Sequence, residues 1–317
     1  MGKPLKFSII SPVYMAEKIL PELVNRISIE FQNLQLDFEI ILIDDASPDN
    51  SWKSIELLCS KHSYVKGIRL SKNFGQHYAI TAGIEASQGD LIILMDCDLQ
   101  DNPKDISLLL EQYKNGYDIV FTKRIERKHN FFKILLSKIY QKSFRVLSDR
   151  NFDIDMGSLV LFSSQVRTAF LKVKDQDRLY IQILKWVGFK SAIVSVEHDK
   201  RYSGKSSYTF VKMISMAIQG WTFHSEKLLR LSTYMGFSLS LLAIVGIIYI
   251  LINYYLNGFQ SGWASLSVLI LFATGVIQLS IGILGIYLGK IFKQVKNRPL
   301  YIVEKQLNIV TSHKNKE

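Results

Sequence analysis

Leu91-Ile92-Ile93-Leu94-Met95-Asp96-Cys97-Asp98-Leu99-Gln100-Asp101 is the stretch of this 317-residue chain on which its reading turns. Five consecutive apolar residues have the length of a strand buried on both faces. They run directly into three carboxylates and a glutamine. A second stretch repeats the design, with Ile40-Ile41-Leu42-Ile43 leading into Asp44-Asp45-Ala46-Ser47-Pro48-Asp49. One acidic strand end alone is usually a turn former or a helix cap. Two such clusters at parallel strand ends favour a hard-cation site instead. Mg²⁺ or Mn²⁺ prefers carboxylate, amide oxygen and water, and usually keeps substrate phosphates as further ligands.

Outward from these runs, short apolar segments alternate with amphipathic ones. Phe7–Val13, Glu39–Asp44, Val65–Leu70, Leu91–Met95 and Asp118–Thr122 read as strands. Ala16–Leu36, Asn50–His62, Gln76–Ser87 and Pro103–Asn115 carry helical spacing, with Ser47-Pro48-Asp49 and Asn102-Pro103 as helix starts. The alternation predicts an α/β domain with a mostly parallel sheet covered by helices. Ligands of such sheets bind beyond the carboxyl ends of the strands. The chain has neither a GxGxxG nor a GxxxxGK[ST] motif, so neither a dinucleotide fingerprint nor a P-loop is supported.

Charge is distributed in two regimes. Lys and Arg total 39 against 28 Asp and Glu, a net charge of +11. Leu231 to Gly289 nevertheless contains no Asp, Glu, Lys, Arg or His. That stretch has room for two membrane crossings, expected at 233–256 and 265–288, since a helix needs about 20 apolar residues to span the hydrocarbon. Lys227 and Arg230 precede the first, and Lys290, Lys293, Lys296 and Arg298 follow the second. The positive-inside rule then puts both termini and the α/β domain in the cytoplasm, on the inner (cytoplasmic) membrane. Met1 to Lys6 has no apolar run of signal-peptide length. Two cysteines, Cys59 and Cys97, with no CxxC, exclude a disulfide scaffold and a zinc cluster.

The order and spacing of several motifs resemble the family 2 glycosyltransferases of GT-A fold. The motifs are Ser8-Ile9-Ile10-Ser11-Pro12-Val13-Tyr14, Ile43 to Asp49, Leu70-Ser71-Lys72-Asn73-Phe74-Gly75, Thr81-Ala82-Gly83 and Asp96 to Asp101, followed by the two-span segment. Within that family the chain is most similar to the polyprenyl-phosphate sugar synthases, of dolichol-phosphate mannose synthase type and its undecaprenyl-phosphate relatives. The resemblance implies a Rossmann-like GT-A domain over 1–207, an interfacial amphipathic segment over 208–230, a two-helix transmembrane hairpin within 231–289 and a basic tail over 290–317. It places Pro12, Tyr14, Glu17 and Asp45 at the nucleotide base and ribose, with Lys72 and Asn73 near the base. It makes Asp96-Cys97-Asp98 the DxD element at the nucleotide, with Asp96, Asp98 and Gln100 at the metal. Arg124 would face phosphate, while Arg201 and Lys205, in Arg201 to Tyr208, would meet the lipid phosphate or the donor diphosphate. Met15, Ala16 and Ser158 depart from the family pattern, Ser158 standing where an Asp is usual. Asp153 or Asp155 are candidates to replace that Asp, and Asp175 or Asp177 for the acid expected before Trp186-Val187-Gly188-Phe189.

What the resemblance implies is inverting transfer of one sugar from a nucleotide-diphosphate sugar donor to polyprenyl (undecaprenyl) phosphate, with Mg²⁺ or Mn²⁺ as cofactor, and association of copies into a homo-oligomer through the hairpin. The chemistry suits the residues. Cleaving a sugar–diphosphate bond leaves extra negative charge on the nucleotide, which a divalent ion and Arg124 can offset. A phosphate monoester with a second pKa of about 6 is already ionised and needs cations rather than a general base.

Lys123 to Arg150 carries nine basic and two acidic residues among aromatic and aliphatic ones. A basic amphipathic helix of this kind fits an anionic bilayer. Nucleic acid is the rival partner for such charge, and the uncharged stretch on the same chain argues for lipid and against nucleic acid. Two other functions compete. Gln182-Ile183-Leu184-Lys185-Trp186 comes close to the Q-x-x-R-W of processive polysaccharide synthases, which need more spans than are available here. A catalytically silent nucleotide-binding scaffold is the other, against which the intact Asp96-Cys97-Asp98 argues.

Overall fold

The computed structural model describes residues 5–124, 156–196, 227–257 and 262–309. Arg201, Lys205, Asp153, Asp155 and nearly all of the expected interfacial and basic segments lie outside the described residues. The chain divides into two compact units. One comprises 1–128, 155–206 and 298–317, the other 129–154 and 207–297.

The first unit is built on an eight-stranded sheet of order β7-β5-β6-β4-β1-β2-β3-β8. β1 (Lys6–Val13), β2 (Asp37–Asp44), β3 (Val65–Leu70) and β4 (Leu91–Leu94) are mutually parallel. The α/β architecture and mostly parallel sheet expected from the sequence are therefore present. β6 (Met156–Ser163) enters antiparallel between β4 and β5 (Ile119–Arg124), and β7 (Ser191–Val196) runs parallel to β5. β6 was not predicted; its Leu159 to Phe162 run is buried on both faces, which is what inserts it into the middle of the sheet.

Each central strand feeds two cores. Ile9, Ile40, Leu42 and Ile93 face one side, packed with α1 (Leu20–Asn33), α2 (Ser51–Lys61) and α4 (Ile106–Lys114). Ile10, Ile41, Ile43, Ile92 and Leu94 face the other, with α3 (Gln76–Ala86), α5 (Ser164–Lys172) and α6 (Tyr180–Trp186). Period-two alternation explains how an unbroken apolar run serves both. Helix α3 lies so close to the sheet that a Cβ on Gly83 would sit 2.4 Å from Ile10 Cγ2 and 2.7 Å from Ile43 Cδ1.

Helix α1 begins at Leu20 rather than Ala16. The reason is local: Pro21 has no N–H to give and its ring clashes with the carbonyl four residues earlier, so it is tolerated only in the first turn, which sets the start at Leu20. The helix start at Asn102 is as expected: its side chain accepts from the Lys104 N–H at 3.1 Å and opens a short 3₁₀ turn before α4.

Part of the expected basic tail belongs to the sheet. β8 (Val303–Leu307) pairs antiparallel with β3. The Asn308 amide donates to the carbonyls of Cys59 at 2.8 Å and Val65 at 2.9 Å, closing the strand onto the turn after α2.

The second unit contains α7 (Lys227–Asn257) and α8 (Trp263–Val295), which pack against each other. Two helices thus stand where two membrane crossings were expected. Among the described residues one run, Phe272–Val295, is long and apolar enough to cross a membrane. Large apolar side chains on it, including Leu279, Leu284 and Leu288, are exposed, which is costly in water and favourable in hydrocarbon.

Candidate active site

Strand order reverses between β1 and β4: the chain proceeds from β1 through β2 to β3 on one side, then returns to place β4 on the other. This is the switch point at which parallel sheets open a crevice at their carboxyl ends. The segments ending there are Pro12 to Glu17 after β1, Asp44 to Asp49 after β2, and Asp96 to Asp101 after β4. Left-handed backbone at three non-glycine positions marks the same rim: Met15 (φ 54°), Ala46 (φ 50°) and Leu99 (φ 60°). Such conformations persist only where surrounding bonds impose them.

Those bonds run between loops. The Met15 N–H donates to Ser47 Oγ at 3.2 Å, the Ala16 N–H to Ser51 Oγ at 3.0 Å and the Glu17 N–H to Asp49 Oδ2 at 3.4 Å. Asp49 Oδ1 in turn accepts from the Ser51 hydroxyl at 2.6 Å. Ser47-Pro48-Asp49 therefore does more than start α2. It fixes the loop carrying Tyr14, which is exposed, and Glu17, which is half-buried, while Pro12 is buried in β1.

Asp44 and Asp45 separate their tasks. Asp44 is wholly buried, accepts from the Ser47 N–H at 3.1 Å, and faces Arg69 Nε at 3.5 Å. Asp45 accepts from the Phe74 and Gly75 N–H groups, both at 2.8 Å. Desolvation raises the pKa of each above the ordinary carboxylate value, and the hydrogen bonds oppose that rise. Asp45 thus holds the loop that carries the exposed Lys72 and Asn73. Gly75 takes φ 103° there, a conformation that suits glycine. A carboxylate has about four lone-pair sites, so Asp45 retains acceptor capacity beyond these two bonds.

In the third segment Gln76 Nε2 donates to Asp96 Oδ1 at 2.7 Å, and Asp98 Oδ1 accepts from the Gln100 N–H at 3.1 Å. Desolvation, with the charges of Asp96 and Asp98 beside it, pushes the Cys97 thiol up to about 12. Cys97 packs against the apolar core, leaving Asp96 and Asp98 as the polar members of the triplet. Asp101 is buried and accepts from the Ser158 hydroxyl at 2.7 Å. Position 158 therefore still meets the acidic segment, as a neutral donor. Arg124 closes β5 opposite Val196 of β7.

Among the described residues no group of three or more His, Cys, Asp and Glu side chains could by itself hold a metal ion. Asp96, Asp98 and Gln100 offer two carboxylates and an amide within five consecutive residues. That set fits a hard cation completing its shell with water and phosphate oxygens, and it does not fit zinc.

Three positions were not found by sequence reasoning: Ser51, His77 and Arg178. His77 is pushed down to about 4 by burial and rings with Tyr180 at 5.6 Å. Arg178 is buried, with Nε donating to Thr81 Oγ1 at 3.2 Å and its guanidinium 4.8 Å from the Phe170 ring. Asp175 is one of the charges acting on Arg178. In α6 Gln182 is buried and Trp186 is exposed. No local pattern marks these residues, because their partners come from other segments.

The comparisons with known proteins agree with this geometry. The Glycosyl transferase family 2 model matches residues 8–172. The uncharacterized glycosyltransferase YkcC of Bacillus subtilis is 34% identical over 318 residues, covering 98% of this chain and 96% of that protein. An undecaprenyl-phosphate 4-deoxy-4-formamido-L-arabinose transferase of Proteus mirabilis is 31% identical over 320 residues, covering 98% and 97%. In fold, the chain is similar to mannosyl-3-phosphoglycerate synthase from Rubrobacter xylanophilus, with TM-score 0.51 and 16% identity over 68% of this chain and 72% of that one. With its acidic strand ends gathered at the switch point of a mostly parallel sheet, the chain belongs to glycosyl transferase family 2 and is a glycosyltransferase.

Proposed function

We propose that this glycosyltransferase is anchored in the cytoplasmic membrane and moves one sugar, with inversion, from a nucleotide-diphosphate sugar to polyprenyl (undecaprenyl) phosphate. The observation that carries the reading is the end-to-end similarity to an undecaprenyl-phosphate sugar transferase, with both chains covered almost completely. Two long C-terminal helices and the exposed apolar run Phe272–Val295 support it, since the acceptor would reside in a bilayer.

In this reading Tyr14, Glu17, Asp45, Lys72 and Asn73 bind the nucleoside. Asp96, Asp98 and Gln100 would hold Mg²⁺ or Mn²⁺, which when bound supplies positive charge to the leaving diphosphate. Arg124 adds a cation at the end of β5, and Arg201 with Lys205 brings the acceptor phosphate close to the donor against charge repulsion. The acceptor phosphate oxygen attacks the anomeric carbon as the bond to the diphosphate breaks, which inverts the configuration. No protein group needs to remove a proton, because the acceptor is already ionised.

The test incubates membranes containing the protein with a panel of labelled nucleotide sugars and undecaprenyl phosphate. A lipid-linked monosaccharide is the expected product, and a long polymer would overturn the assignment in favour of a processive synthase. Asp98→Ala is expected to abolish transfer while membrane insertion is retained. Undiminished transfer by that variant contradicts the metal-site assignment.

A further inference from the structure

The geometry points to Gln76 as a positioning residue of the donor site, a role that rests on the reading of Asp96 and Asp98 given above. Gln76 is the first residue of α3 and follows Gly75, whose N–H is held by Asp45. Its own side chain crosses to β4's end and donates to Asp96 Oδ1 at 2.7 Å. One loop, Ser71 to Gln76, is therefore held through its backbone by Asp45, just after β2, and gives a side chain to Asp96, just after β4.

The contact is solvent-exposed. Ordering a long, exposed glutamine loses rotamer freedom for a bond that water could replace, so stability explains it poorly. Its chemistry suits positioning better. An amide donor fixes the orientation of the Asp96 carboxylate through Oδ1. Unlike Lys or Arg, it adds no positive charge to oppose a divalent ion. Because Lys72 and Asn73 lie on the same loop, engagement of the nucleoside there orders Gln76 and hence Asp96. Nucleotide and metal binding are thereby made mutually favourable.

The test is titration of the full-length protein in detergent with Mn²⁺, read by electron paramagnetic resonance, alone and with UDP or GDP. Gln76→Ala and Gln76→Leu are expected to weaken Mn²⁺ uptake in the presence of nucleotide roughly five- to tenfold. They are expected to leave the metal-free melting midpoint within about one degree of wild type. Wild-type protein that takes up Mn²⁺ with neither nucleotide overturns the donor-site reading and this role with it. Wild-type uptake matched by both variants overturns the role of Gln76 alone, as does a lowered midpoint with unchanged uptake.

Discussion

Both oxygens of Asp45 are engaged by the amides of Phe74 and Gly75, so a residue expected to touch nucleotide also shapes the loop that would do so. Removing it would therefore confound nucleotide binding with loop order. His77 offers a test in pH. Its folded pKa of about 4 lies below the ordinary value of 6.5, so the unfolded chain binds more protons between those values. The contribution of neutral His77 is present above about 6.5 and is lost as pH falls towards 4. A His77→Gln variant is therefore expected to show a shallower fall in melting midpoint between pH 6.5 and 4.5. An unchanged slope would mean that other groups carry the acid sensitivity.

Among the elements, α3 bears a tight steric constraint. Gly83 allows the helix to reach the sheet where Ile10 and Ile43 project, and a methyl group would meet both at well under contact distance. Gly83→Ala is expected to lower stability by about 1–3 kcal/mol through overpacking, despite the better helix propensity of alanine. A thermal melt that rises or stays level would refute the close approach. The five strands and four helices read from periodicity all exist, with ends displaced by a few residues. Helix α1 shows why. Its amphipathic pattern extends back to Ala16, but Pro21 is tolerated only in the first turn, so the helix starts at Leu20, and Ser47, Asp49 and Ser51 of another loop bind the amides of Met15, Ala16 and Glu17 ahead of it.

On the scale of the molecule, the chain leaves the catalytic unit after β7 and returns to it as β8, which covers the β3 edge. Arg69 lies 3.5 Å from both Glu304 on β8 and the buried Asp44, so the returning strand touches the charge network behind the Asp44 to Asp49 loop. Tyr301 also donates to Glu85 of α3. A chain ending after Arg298 is expected to lose several degrees of melting midpoint and to aggregate through the uncovered β3 edge. A truncated protein that melts with the full chain and remains monodisperse would contradict this role for β8.

The sequence by itself determined the class of fold, the acidic strand ends and the uncharged stretch, because each depends on short-range pattern: strand-length apolar runs, the residues that follow them, and spans without charge. Family membership was legible there too, in motif order. Tertiary structure decided what the individual side chains do. Asp44 is buried beside Arg69 and Asp45 is bound to a distant loop, although the two are neighbours in the chain. Gln76 meets Asp96 across 20 positions, and Ser158 meets Asp101 across 57. β8 is recruited to the sheet from beyond two long helices. Such pairings arise from strand order, and strand order is set by which buried faces pack together rather than by any local run of residues.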